Sequence, residues 1–258
     1  MPLSPEQMQD IESVIRDSIR RKLGHYRPET KQMPFHYRLL GRDRMALFSF
    51  IHSLNTTFGT SIFEPVAAQL AKGRFQNVCT QVDVGNLIAV EAQREIQRIM
   101  DELSSGKNPD KQTEIAQIRK VCQGERKTKT KTVKADLYLQ EQDGTVHLFD
   151  LKTAKPNISN FRDFKRTLLE WVAIYLTQNP SAEVESYIAI PYNPYEPRPY
   201  ERWTLKGMLD LDHELKVGKE FWDFLGGEGA YEDLLECFQA AGISLRPELD
   251  AYFSRFNH

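Results

Sequence analysis

The chain has 258 residues, 40% of them hydrophobic and 27% charged, and a formal net charge of −2. This composition is typical of a globular protein and excludes a membrane-spanning chain, because no apolar run approaches the length of a bilayer span. The near-neutral charge gives no support to nucleic-acid binding, although the clustering of charges matters more than their total. Three widely spaced cysteines without a metal-ligand pattern favour a reducing cytoplasm, and the first residues do not resemble a signal peptide.

The first half of the chain is predicted to be mainly helical. Ser4 and Gln7 form a capping-box pattern, and the apolar spacing that follows predicts a helix to about Leu23. Residues 24–36 are predicted to be a loop. Further helices are predicted near 41–56, from Ser61 after a break at 55–61, at about 86–104, and in a short polar segment that ends near Cys122.

Two apolar runs then flank Asp143-Gly144, which is a typical hairpin signal. On the first run Val133, Ala135, Leu137 and Leu139 share one face, so Asp136 lies on the other. On the second run Asp150 and Lys152 are two residues apart and share a face. The hairpin therefore predicts that two carboxylates and one ammonium group meet at one point.

After the hairpin, the sequence predicts a helix over 160–177, a strand over Glu185–Ile190, a Pro- and Tyr-rich loop over 191–203, and C-terminal helices. This order predicts an α/β fold with a mixed sheet flanked by helices. No change of composition divides the chain, so we expect a single domain, 1–258. It would be mainly helical over 1–125, carry the sheet and loop over 126–203, and be helical again over 204–258.

The residues of the hairpin indicate a specific chemistry. Carboxylate oxygens suit Mg²⁺, which takes few protein ligands, and a lysine beside them can orient a water molecule. Asp136, Asp150, Leu151 and Lys152 resemble the PD-(D/E)xK nuclease core, with Ala135 where proline is common. The aspartates and the Leu151 carbonyl would be metal ligands in that core. The alternative interpretation is a solvated strand face, because Asp-x-Lys is frequent by chance.

Glu64 is a candidate for completing the metal site, because it follows a glycine turn and begins a helix before the hairpin. A first-turn glutamate that favours the helix dipole is an equally good interpretation. Glu91 and Glu95, on a longer helix nearer the hairpin, are alternatives to it.

Two further segments are candidates for contact with DNA. Residues 126–134 hold five basic residues and no acidic one, so Lys127, Lys129, Lys131 and Lys134 favour phosphate contact over a merely solvated arm. The proline-stiffened loop offers side chains of the types that read base edges, namely Asn193, Arg198 and Arg202. A rigid surface loop whose tyrosines pack on the core is its alternative interpretation.

Several stretches together resemble the TdeIII family of type II restriction endonucleases. They are Leu54–Pro65, the hairpin with Asp136, Asp150 and Lys152, the run Ile188–Tyr195 with its Pro-Tyr-Asn-Pro-Tyr sequence, and Glu220–Gly227. The resemblance implies Mg²⁺-dependent cleavage of double-stranded DNA, is associated with the interrupted palindrome GGNCC, and implies that Asp136, Asp150 and Lys152 are catalytic.

The sequence therefore predicts a type II site-specific deoxyribonuclease of a restriction-modification system. We expect a cytoplasmic homodimer that leaves a 5′ phosphate and a 3′ hydroxyl, since a palindrome has a twofold axis. A repair or junction-resolving nuclease on the same core, or a DNA-binding module with a degenerate site, would be the alternatives. Clustered carboxylates argue against a degenerate site, because they repel one another without serving any purpose there.

Overall fold

The computed structural model describes residues 3–27, 33–132, 134–152, 161–201 and 207–256. Contacts within the chain group these residues into two compact units. One unit comprises Met1–Leu70 with Gly226–His258, and the other is Ala71–Leu225.

The described residues contain both helices and strands. The helices are α1 (Pro5–His25), α2 (Pro34–Leu40), α3 (Arg42–Phe58), α4 (Glu64–Ala71), α5 (Val90–Ser104), α6 (Lys111–Val121), α7 (Phe161–Gln178), α8 (Leu211–Glu214), α9 (Lys219–Gly226) and α10 (Ala230–Phe253). The strands are β1 (Asn77–Val82), β2 (Leu87–Ala89), β3 (Lys127–Lys129), β4 (Ala135–Gln140), β5 (Val146–Leu151), β6 (Val184–Ile190) and β7 (Leu215–Val217).

The first unit is helical, with α1 packed along α10. The capping box at the start of α1 is confirmed, because the Ser4 hydroxyl accepts from the Gln7 amide and the Gln7 side chain accepts from the Ser4 amide. The prediction of a loop through residue 36 is wrong, since α2 begins at Pro34. Proline is well suited to the first turn of a helix, where its missing N–H is not needed.

The predicted break at 55–61 is also wrong. Helix α3 continues to Phe58, and a π-helical turn over Gly59–Phe63 joins it to α4. Ile62 within that turn is buried. Packing of this side chain outweighs the low helix propensity of the surrounding threonines and glycine.

The second unit contains a five-stranded mixed sheet with the order β1-β4-β5-β6-β7, and a separate two-stranded sheet of β2 and β3. Strand β4 is antiparallel to both β1 and β5, whereas β6 is parallel to β5 and β7. Helix α7 supplies the crossover connection that parallel strands need. The predicted mixed sheet flanked by helices is confirmed.

The predicted hairpin is β4 and β5, joined through Asp143 and Gly144. Gly144 has φ +93°, and the Thr145 amide donates to the Asp143 carboxylate at 2.9 Å. Along β4 the odd-numbered residues are buried and the even-numbered ones half-buried, whereas β5 is buried throughout. The hairpin therefore lies inside the sheet. Burial alternates along β4, whereas both faces of the central strand β5 are covered.

The two faces of the five-stranded sheet are covered differently. One face packs against a cluster that includes buried side chains of α5, α6 and α7. The other carries His147, Phe149 and Tyr187, whose rings contact Phe224 of α9. Asp150 follows Leu148 on the α7 face by alternation, so the predicted site lies at the end of β5 on that face.

Strand β6 is confirmed where the sequence predicted it. Strands β1, β2, β3 and β7 were not predicted, and the helix expected from residue 86 begins only at Val90, because Leu87–Ala89 pair with Lys127–Lys129. No helix in the described part of the chain combines the length and apolar character required of a membrane span.

Candidate active site

The β4–β5 hairpin brings Asp136, Asp150 and Lys152 together, as the sequence predicted. Leu137 of β4 pairs with Phe149 of β5, so the two aspartates lie immediately beside that pair. The Lys152 Nζ lies 2.6 Å from the Asp150 Oδ1. The site thus combines two carboxylates with one ammonium group.

Both carboxylate oxygens of Asp136 are held by hydrogen bonds. The Leu151 main-chain N–H donates to its Oδ2 at 2.8 Å, and the Gln81 Nε2 donates to its Oδ1 at 2.9 Å. No local sequence pattern identifies Gln81, because it lies 55 residues before Asp136. These two donors fix the orientation of the Asp136 carboxylate.

Asp150 is buried, with 6% of its surface exposed. Burial raises its pKa to about 7, against a lowering by the Lys152 ammonium and a further rise from the neighbouring Asp136 carboxylate. A buried carboxylate with this pKa holds its negative charge at a cost in free energy. A cation at this position would remove that cost.

Lys152 is positioned by two contacts. Besides the Asp150 ion pair, its Nζ lies 4.6 Å from the centre of the Phe164 ring in the first turn of α7. Its side chain is about one-quarter exposed. The ammonium group is therefore anchored beside the carboxylates while remaining open to solvent.

The donor set fits Mg²⁺. The two carboxylates supply hard oxygen ligands, and a bound cation would stabilise the charged form of Asp150, whose pKa is raised chiefly by burial. In the described part of the chain, no group of three or more His, Cys, Asp or Glu residues could hold a metal. Mg²⁺ commonly takes one or two protein carboxylates and keeps several waters, so Asp136 and Asp150 can supply its protein ligands.

Comparison with known proteins agrees with this chemistry. The family model described as "Type II restriction endonuclease, HinfI" matches residues 3–242. The chain belongs to the HinfI family of type II restriction endonucleases. It is accordingly a site-specific deoxyribonuclease of a restriction-modification system. The match confirms the predicted class of enzyme, and it does not confirm the TdeIII name.

Individual restriction enzymes are also similar to this HinfI-family chain. It is 27% identical over 224 residues to the type II restriction enzyme HgiCII of Herpetosiphon aurantiacus, covering 84% of this chain and 80% of that one. HgiEI of the same organism is 27% identical over 223 residues, with 84% and 79% coverage. MjaII of Methanocaldococcus jannaschii is 27% identical over 199 residues, with 71% and 51% coverage.

The three glutamates considered for this HinfI-family site have different surroundings. Glu64 is buried as the first residue of α4 and belongs to the first unit. Glu91, in the first turn of α5, has its Oε1 3.9 Å from Arg126. Glu95 is paired with Arg98 at 2.5 Å, which lowers the pKa of Glu95. Glu95 is thus engaged in an ion pair on its own helix.

The basic segment of residues 126–134 includes strand β3. Lys127 donates from its Nζ to the Thr177 carbonyl oxygen at 3.3 Å. The four lysines of the segment are exposed, namely Lys127, Lys129, Lys131 and Lys134. They are accessible to a phosphate backbone.

The Pro- and Tyr-rich loop of the HinfI-family chain is described from Pro191 to residue 201. The Asn193 amide is used within the loop, since its Nδ2 donates to the Arg198 carbonyl at 2.7 Å and its Oδ1 accepts from the Tyr195 amide at 3.0 Å. Arg198 has an exposed side chain. Arg202 lies outside the described residues.

Proposed function

We propose that this restriction endonuclease hydrolyses double-stranded DNA at a short palindromic site, in the cytoplasm, with Mg²⁺ as its cofactor. The observation that carries the proposal is the cluster of Asp136, Asp150 and Lys152 at the end of the hairpin. GGNCC, which the TdeIII resemblance implies, is the first sequence to test.

Each residue of the cluster has a chemical role in this proposal. Asp136, Asp150 and the Leu151 carbonyl would hold Mg²⁺, which when bound supplies positive charge opposite the scissile phosphate and lowers the pKa of water. Lys152, fixed beside Asp150, orients the attacking water and balances the charge that develops on the phosphate.

The reaction is the hydrolysis of one phosphodiester bond. The water oxygen forms a bond to phosphorus, and the bond from phosphorus to the 3′ oxygen breaks. The attacking water gives up one proton to bulk water, and the departing 3′ oxygen takes one up. The products are a 5′ phosphate and a 3′ hydroxyl. We propose that Glu64 completes the site.

Binding of the duplex would use two kinds of contact. The exposed lysines, Lys127, Lys129, Lys131 and Lys134, would neutralise phosphates without regard to sequence. Arg198 and Arg202 would read base edges in the major groove. Asn193, whose amide bonds lie within the loop, would hold Arg198 in place.

A homodimer suits a palindromic target, because two identical protomers related by a twofold axis each face one strand. Each protomer would then contribute one Asp136–Asp150–Lys152 cluster. Cleavage of both strands would need both clusters, whereas a protein with one active protomer would only nick the duplex.

Plasmid cleavage with mapping of the ends tests the proposal. The wild type with Mg²⁺ should give discrete fragments whose 5′ ends carry phosphate and whose ends lie at one palindrome. Asp150→Ala and Lys152→Ala should lose most cleavage and still bind DNA, and Ca²⁺ should support binding without cutting.

Asp143→Asn is a matched control, because it removes a carboxylate from the same hairpin while retaining the oxygen that accepts from the Thr145 amide. It should cut like the wild type. Full cleavage by Asp150→Ala or Lys152→Ala would contradict the site. Cleavage without a preferred sequence would contradict the proposed specificity and leave the nuclease chemistry intact.

A further inference from the structure

Helices α2 and α3 carry an exposed apolar surface, here named the α2–α3 surface. It consists of large apolar side chains that are each at least 42% exposed, namely Met33, Phe35, Leu39, Leu40, Leu47, Phe48 and Ile51. Phe35 and Leu39, one helical turn apart on α2, are 83% and 82% exposed. Large exposed apolar surfaces mark interaction sites on soluble proteins.

Helix α2 lacks the packing that would stabilise it within one protomer. It has seven residues and contains no buried side chain. Isolated helices of this length are unstable in water, and most helical stability in proteins comes from packing an apolar face. The helix thus presents an apolar face that a partner would cover.

The size of the α2–α3 surface fits a protein partner. Its exposed fractions add up to about four large apolar residues, or on the order of 600–1,000 Å² at roughly 150–250 Å² each. A standard protein interface buries about 800 Å² per partner.

We propose that the α2–α3 surface is where a second copy of this chain binds. The exposed apolar side chains of both helices can pack against the same side chains of a second copy, as a twofold contact requires. This inference rests on the homodimer in the proposed function and gives that dimer a location.

The oligomeric state of the full chain tests this surface. By sedimentation equilibrium without DNA, the wild type should be a dimer at micromolar concentration. Phe35→Asp with Leu39→Asp, and separately Leu47→Glu, should weaken dimerisation at least a hundredfold. Leu235→Asp and Ile243→Asp are matched controls on α10, because these residues are 52% and 50% exposed outside the surface; both should remain dimeric.

Circular dichroism melting would show that the variants fold. A wild type that stays monomeric, or surface variants that dimerise like the controls, would overturn the location. DNA cleavage is scored in parallel: a monomer that cuts both strands would overturn the dimer and leave the nuclease function. If the surface variants alone weaken the dimer but the wild type cuts no DNA, the proposed function would be overturned and the dimer location would still be supported.

A second observation concerns Gln81. Among the described residues it alone combines a side chain other than glycine's with a positive φ, of 56°. It lies on β1 between the pairs Thr80–Leu137 and Val82–Ala135, which places it opposite Asp136. A left-handed residue inside a strand is strained, and such strain is concentrated at functional sites.

We infer that Gln81 is a positioning residue that prepares Asp136 for metal binding. Its Nε2 donates to the Asp136 Oδ1 at 2.9 Å, while the Leu151 N–H holds the other oxygen. Without Gln81, the carboxylate would be held on one side only. The cost of ordering the Asp136 carboxylate would then reduce the free energy of metal binding.

Gln81→Gly removes the side-chain amide without straining the backbone, because glycine adopts positive φ freely. The variant therefore tests the hydrogen bond independently of the backbone conformation. The variant should melt no lower than the wild type. It should need roughly 10- to 100-fold more Mg²⁺ for half-maximal thermal stabilisation and for half-maximal cleavage, as expected for a lost hydrogen bond to a charged group.

Thr80→Ala, a change at the exposed neighbour on β1, is the control and should leave the Mg²⁺ dependence unchanged. The inference fails if Gln81→Gly requires the same Mg²⁺ concentration as the wild type in the thermal assay. A lower melting temperature at unchanged Mg²⁺ dependence would also overturn it, because that result describes a purely structural residue.

Discussion

The Asp136 Oδ2 accepts a hydrogen bond from the main-chain N–H of Leu151 at 2.8 Å. Leu151 separates Asp150 from Lys152, so this bond ties the first carboxylate to the segment that carries the other two groups. The cluster is therefore assembled by the protein itself. Its two negative charges are brought together at a cost in stability that a metal ion would relieve.

Asp150→Asn should stabilise the protein in the absence of metal at neutral and alkaline pH. Burial raises the pKa of Asp150 to about 7, above its ordinary value of about 3.9 in an unfolded chain. Folding therefore favours the protonated form, and this contribution to stability is full below pH 4 and is lost as the pH rises towards 7. At pH 8 the variant should be more stable than the wild type, because it carries no buried negative charge at this position.

Urea unfolding in EDTA at pH 4 and pH 8 would measure this gain. Little difference between variant and wild type is expected at pH 4, where the carboxyl group is protonated in the folded state and about half protonated in the unfolded chain. Asp143→Asn, at the hairpin turn, serves as the comparison. A variant that is less stable than the wild type at pH 8 would contradict the cost assigned to the Asp150 charge.

Lys165→Met should destabilise the second unit by about 3–5 kcal/mol, the usual result of leaving buried charges without their partner. Lys165 is completely buried on α7, where its Nζ donates to both Glu214 oxygens at 2.7 and 2.8 Å and pairs with Glu114. Burial also raises the pKa of Glu114. Urea unfolding at pH 7 measures the loss.

Lys216→Met is the matched change for Lys165, at a half-buried lysine of the same unit. It should cost much less. Replacing Lys165 together with Glu114→Gln and Glu214→Gln should recover part of the loss, because no charge then remains unpaired. A loss below about 1 kcal/mol for Lys165→Met alone would mean that water reaches these carboxylates.

The catalytic hairpin could be predicted from sequence because its determinants are local. The Asp143-Gly144 turn sets the register, and the period of two then fixes which faces Asp136, Asp150 and Lys152 occupy. Strand β6 was equally evident, since an apolar run flanked by turn signals needs no distant partner to be recognised.

The remaining features depend on distant residues. Strands β2 and β3 have three residues each and exist because they pair with one another across about 40 residues of intervening chain. Gln81 reaches Asp136 only because β1 pairs with β4. The helical pattern alone would place Lys165 at the surface. It is buried because Glu114 of α6 and Glu214 of α8 pair with it. A short segment of sequence therefore cannot indicate such tertiary contacts.

Glu64→Gln should raise the Mg²⁺ concentration needed for half-maximal cleavage, if Glu64 supplies a carboxylate to the metal as we propose. The expected shift is roughly tenfold or more, by comparison with the loss of a single interaction with a charged group. A Mg²⁺ titration of the cleavage rate measures it, with circular dichroism to show that the buried substitution leaves the fold intact.

Glu95→Gln is the control for Glu64, because Glu95 is already paired with Arg98. Its Mg²⁺ dependence should match that of the wild type. An unchanged dependence for Glu64→Gln would return Glu64 to the role of a helix-start residue. Glu91→Gln in the same titration would then identify the alternative carboxylate.

Arg198→Ala and the double change Lys129→Ala with Lys131→Ala should affect different parts of DNA binding. An arginine that bonds guanine discriminates by roughly 1–3 kcal/mol, so its loss should weaken cognate binding and spare a random duplex. Lysines on phosphates act equally on all sequences, so their loss should weaken both duplexes and flatten the dependence on salt. Arg198 and both lysines are exposed, which allows these changes without loss of the fold.

Affinities for cognate and random duplexes over a salt series, in Ca²⁺, separate the two outcomes. If Arg198→Ala weakens both duplexes equally, Arg198 contacts the backbone and the bases are read elsewhere.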